Sequence, residues 1–67
     1  MSEKMRLYVE AQFKTEMQNI LGSNSAKYDL DFLARDAVAV IDWNNSALMH
    51  KDMKWLANYY LRCKRIA

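Results

Sequence analysis

Residues 28–43 read YDLDFLARDAVAVIDW, and the period assigned to them decides the fold. The run Ala37–Ile41 is built from alanine, valine and isoleucine, and the β-branched members suit a strand. A strand needs a partner, however, and no second run of that kind is visible to pair with it. At a helical period Leu30, Ala34, Ala37, Val38 and Ile41 share one face. Leu33 and Val40 sit further round, and Phe32 and Trp43 lie on the other side. Polar groups keep only a narrow strip of Asp31, Arg35 and Asp42, with Asp36 apart. Helices apolar on nearly all sides are usually surrounded by other elements. Asp29 or Asp31 supplies an N-cap and NNS at 44–46 closes the segment, which predicts a helix over 30–43.

The flanking sequence agrees with a helical reading. There is no proline, and the single glycine is Gly22, so the chain offers few strand-breaking turns. Ser2 can cap a first helix, with Glu3 favourably placed at the positive end of its dipole. Met5, Val9, Phe13, Met17 and Ile20 recur at helical spacing, and Gly22 stands where a C′ glycine would end the segment. That predicts a helix over 3–21, followed by a polar loop, SNSAK. Ser46 is the candidate N-cap of a third helix over 47–65, whose seam is Met49, Met53, Leu56, Tyr60 and Cys63. The expected fold is all-α: one domain spanning 1–67, a small three-helix bundle made of an N-terminal helix and a helical hairpin.

Size and composition narrow the rest. A 67-residue chain buries only about 60% of its unfolded surface and is marginally stable alone. Chains of this size commonly add disulfides, a metal or oligomerisation. One cysteine allows no internal disulfide, and a lone Cys with a lone His gives no metal set. A homo-oligomer, dimer or higher, is therefore expected, with no metal and no cofactor. No apolar run approaches the roughly 20 residues of a membrane span, and the N-terminus lacks the apolar core of a secretory signal. Together with the unpaired thiol, this points to a cytoplasmic location and no membrane partner.

Net charge is only +2, but it is unevenly placed. Residues 1–21 balance, residues 22–45 carry −2, and residues 46–67 carry +4 with Asp52 as their one acid. On a helical wheel of the third segment, Leu48, Trp55, Tyr59 and Ile66 lie beside the seam and widen the apolar arc to about 160°. Lys51, Lys54, Asn58, Arg62 and Arg65 lie opposite. Cations and aromatics are thus interleaved in sequence but separated in space, apart from Arg62, which lies near Trp55. That separation disfavours a single-strand nucleic-acid site, where bases stack on rings beside phosphate-binding cations.

No constellation for catalysis appears. One helix spanning both residues sets His50 and Cys63 about 20 Å apart, and Cys63 in the seam reads as a buried, inert thiol. The aspartates around the second helix lack the glycine and terminal glutamate of a calcium loop, so caps and salt links to the basic third helix explain them better. Glu16, near the centre of the first apolar face, must reach an edge or find a partner. The expected function is that of a small non-enzymatic regulator, adaptor or inhibitor acting by protein–protein interaction. Leu48, Trp55 and Tyr59 are its apolar anchors, and Lys51, Lys54, Asn58, Arg62 and Arg65 form its basic face. The alternative is a nucleic-acid-binding regulator that uses the same basic face.

Overall fold

In the computed structural model, which describes residues 1–67, every regular element is helical and there is no strand. The first helix, α1, spans Glu3–Leu21. Ser2 opens it as expected, its Oγ accepting the N–H of Met5 at 3.1 Å. Gly22 closes it at φ 57°, a backbone state that glycine tolerates and β-carbons resist, and its N–H donates to the Gln18 carbonyl. Residues Gly22–Lys27, read as loop, wind into a 3-10 segment that turns the chain back.

The second helix, α2, spans Leu30–Val40 and is capped by Asp29, whose Oδ1 accepts the N–H of Phe32 at 3.1 Å. It stops three residues earlier than the sequence suggests. Ile41 turns extended, and Trp43 folds back so that its indole N–H donates to the Val38 carbonyl at 2.9 Å. The Trp43 ring then meets Phe13 of α1 edge-on, with centroids 6.3 Å apart. Nor is α2 surrounded. Phe32 and Val40 are each 55% exposed, because a core this small covers only one face of each helix.

The expected third helix is two pieces. The first, α3, is a single turn, Ser46–Met49, capped by Asn45 rather than Ser46. The second, α4, spans Met53–Cys63 and is capped by Asp52, whose Oδ1 accepts the N–H of Trp55 at 2.8 Å. A helix running straight through would leave the Asp52 carboxylate in its interior. Aspartate competes for backbone N–H groups and is more stable as a cap than as an interior residue. Asp52 takes the cap, and the chain turns at His50 and Lys51.

One apolar cluster of twelve side chains holds the elements together, and no polar side chain is buried with it. Phe13, Met17 and Leu21 come from α1. Leu30, Leu33, Ala34 and Ala37 come from α2, with Ile41 just beyond it. Leu56, Ala57, Tyr60 and Leu61 come from α4. The first helix is the spine on which both α2 and α4 pack. Its buried stripe begins only at Phe13, however. Met5, Leu7 and Tyr8 are exposed, and Arg6 lies on the stripe's N-terminal extension, paired with Glu3 and Glu10. Glu16 reaches the edge half-buried and makes no ion pair. Total accessible surface is 4628 Å², close to the roughly 4400 Å² expected of a 7.9 kDa folded monomer. The amount of surface is ordinary; the placement of its apolar groups is what distinguishes this chain.

Candidate interaction surface on α4

The phase of α4 decides which side chains face outward. With Leu56, Ala57, Tyr60 and Leu61 buried, the enclosed arc is turned by about 50° from the Met49–Cys63 seam read from sequence. Leu61 and Ala57, which the seam omits, take the interior, while Met49 and Cys63 are exposed. The Cys63 thiol is therefore not a buried one. Tyr60 is enclosed in either phase; burying Leu61 removes more apolar area from water than burying a cysteine at the frayed helix end, so the leucine fixes the phase.

This rotation carries Trp55 and Tyr59 toward solvent. Trp55 stays half-buried and Tyr59 is 36% exposed, with their rings stacked at 5.4 Å and 12°. Lys51 places its Nζ 5.0 Å from the Trp55 ring centroid. Cation and aromatics are thus in contact, contrary to the separation expected for the whole basic row. Lys51 and Trp55 stand four residues apart, so even one continuous helix would set them side by side; the separation holds for Lys54 and Arg65, not for Lys51. Leu48, the third expected anchor, is half-buried and packs against the core cluster, as Trp55 does.

The basic residues divide into two groups. Lys51, Lys54, Arg62 and Arg65 are exposed and make no ion pair, and the only acid of this segment, Asp52, is engaged as a cap. Asn58 is half-buried, its side-chain N–H donating to the Lys54 carbonyl at 3.1 Å. Lys64, by contrast, is anchored. Its Nζ lies 3.3 Å from Asp36 Oδ2 and 5.9 Å from the Tyr60 ring centroid. Among the aspartates around α2, Asp36 is the one salt-linked to the basic segment, while Asp31 pairs with Lys14 of α1 at 2.9 Å.

Beneath Lys64, the Tyr60 hydroxyl donates to Asp36 Oδ2 at 2.6 Å, tying α4 to α2. That hydrogen bond, with help from Lys64, holds the Asp36 carboxyl below the usual carboxylate range. Burial, then the same bond to Asp36, pushes the Tyr60 phenol well above its ordinary range. At neutral pH the pair is a neutral phenol donating to a carboxylate, and its work is structural.

Next to this clasp a groove of about 270 Å³ runs between the end of α2 and α4, lined by Val40, Ile41, Tyr59, Tyr60, Cys63 and Lys64. Val40, Cys63 and Lys64 were not among the site residues expected from sequence. The signal for Cys63 was present in the spacing of Lys51, Trp55, Tyr59 and Cys63 by fours; Val40 joins only through the fold. A larger cleft of about 650 Å³ lies between α1 and α2, where Lys14 and Asp31 close on each other, remote from the aromatic pair. No three His, Cys, Asp or Glu side chains converge as a metal site, and no helix is long and apolar enough to cross a membrane. Set against known protein families, curated proteins and solved structures, the chain matches none of them.

Proposed function

We propose that this chain is a non-enzymatic cytoplasmic protein that acts by binding another protein, as an adaptor, inhibitor or regulator, through the outward face of α4. The stack of Lys51, Trp55 and Tyr59 carries this reading. Trp55, Tyr59 and Arg62 stand at i, i+4 and i+7 on one helical face, and Trp, Tyr and Arg are the residue types that dominate binding hot spots. Lys54, Arg62 and Arg65 form a rim whose charges steer encounter more than they hold the complex. Self-association belongs to a different surface, the overhanging first turns of α1. There Met5, Leu7 and Tyr8 are exposed in a segment of balanced charge, so two copies can approach without repulsion.

A second reading, single-stranded nucleic acid, is favoured by one observation: Lys51 lies over the Trp55 ring. The two differ in their response to variants. The immobilised full chain captures its partner, and kinetics follow for Trp55→Ala and for the triple Lys51→Gln, Lys54→Gln, Arg62→Gln. A protein partner gives about tenfold or faster dissociation for Trp55→Ala and mainly slower association for the triple. The proposal is overturned if the captured species is nucleic acid whose affinity falls steeply with salt and vanishes in the triple variant.

A further inference from the structure

The first turns of α1 are not the only exposed strip away from α4; α2 carries another. We infer that this strip pairs with the same strip of a second copy, antiparallel about a two-fold axis, as a self-association face separate from the one on α1. Phe32, Arg35 and Ala39 stand at i, i+3 and i+7 on the outward side of α2, and all three are exposed. Phe32 keeps 55% of its surface open although it is a phenylalanine. Beside it Arg35 makes no ion pair. The neighbouring acids are engaged from other helices, Asp36 by Tyr60 and Lys64 and Asp31 by Lys14, so the acidic surplus of this region does not oppose a second copy. Lys14 takes only Oδ1 of Asp31, at 2.9 Å; Oδ2 is free on a side chain that is 72% exposed.

Charge selects both the occupant and its direction. Arg35 follows Asp31 by four residues, so both lie on one flank of the strip. A two-fold axis along the helices would set Arg35 against Arg35 and Asp31 against Asp31, and like charges in apposition are unfavourable. An axis across the helices, level with Leu33 and Ala34, reverses one copy. Each Arg35 then comes level with Phe32 of the second copy and reaches the free oxygen of its Asp31. The two Phe32 rings meet at the centre of the contact. Tyr28, 38% exposed just before α2, comes level with Ala39 of the second copy, a large group against a small one. A foreign partner would have to carry the same charges at the same spacing in reverse, which a second copy does by symmetry. The helix is only about 16 Å long, so the contact falls at the small end of specific interfaces and the pairing is weak.

Sedimentation equilibrium of the full chain under reducing conditions tests this face and the α1 face separately. Wild type, with both faces, should pass beyond the dimer as concentration rises. Met5→Asp with Tyr8→Asp silences α1. In that background the chain should still dimerise, and Phe32→Asp and Arg35→Glu should each weaken the dimer about tenfold or more. Arg35→Glu copies and Asp31→Lys copies each oppose like charges when alone. Mixed in equal amounts they join opposite charges at both contacts, and should dimerise within about threefold of the parent. Circular dichroism confirms that the variants are folded; Phe32→Asp and Arg35→Glu decide the matter even if Asp31→Lys, deprived of Lys14, is not. A monomer in the silenced background overturns the α2 inference and leaves the α1 face standing if wild type is dimeric. A dimer there that is indifferent to Phe32→Asp and Arg35→Glu overturns it as well. A mixture no better paired than its components overturns the antiparallel arrangement. A wild type that never associates overturns both faces.

Discussion

Replacing Tyr60 with phenylalanine isolates one atom. The ring keeps its place, since Tyr60 is only 2% exposed, and the hydroxyl that reaches Asp36 at 2.6 Å is lost. A hydrogen bond to a charged acceptor contributes about 1.5–3 kcal/mol. Lys64 remains beside Asp36 and water can reach that carboxylate, so Tyr60→Phe falls at the low end, about 1.5 kcal/mol. In a domain of this size that lowers the melting temperature by about 6–12 °C at neutral pH. The pH dependence is the sharper part. The folded-state pKa of Asp36 lies below its ordinary value, chiefly through the Tyr60 bond, so the associated stability is fully present above the unfolded value of about 3.9. It is lost as pH falls through the folded value. Thermal denaturation followed by circular dichroism should therefore show the gap between wild type and Tyr60→Phe shrinking from about pH 4 downward. A gap that stays constant into strong acid, or no gap at neutral pH, refutes this account of the clasp.

Three further outcomes follow from the fold. Phe13→Ala empties the centre of the cluster and removes the edge contact to Trp43, a loss of about 3–5 kcal/mol, read from chemical denaturation as a midpoint shifted to lower denaturant or as a chain unfolded without it. Gly22→Ala meets no steric neighbour, so its cost of about 1–3 kcal/mol comes only from the backbone, φ 57° with ψ −127°; that lies outside the left-handed helical region asparagine tolerates, so Gly22→Asn should cost about as much in the same melts. Cys63 should react stoichiometrically with a thiol reagent in the native protein, at a rate unchanged by low denaturant, whereas an enclosed thiol would react only on unfolding.

Local punctuation was legible, and phase was not. Ser2, Asp29 and Gly22 act where their chemistry places them, because a cap or a positive φ depends on a few neighbouring backbone atoms. The break before α4 was missed because Asp52 fits two patterns. It continues the wheel as a solvent-facing acid, and it caps a new start; the fold chose the cap, which no period could reveal. The outward turn of the aromatic pair was missed for a different reason. Leu61 and Cys63 compete for the interior, and α1 decides between them through Phe13 and Met17, far away in sequence. The pairing of Lys51 with Trp55, by contrast, was legible in their spacing of four, which sets them side by side with or without the break.

The twelve enclosed side chains form a single cluster, and α4 contributes four of them, Leu56, Ala57, Tyr60 and Leu61. Scission anywhere between Ile41 and Asn45 would leave an N-terminal fragment without a third of its interior and with Phe13 and Met17 open to water. No smaller portion of the chain is self-sufficient. Limited digestion should therefore yield intact protein or peptides, with no resistant fragment between them.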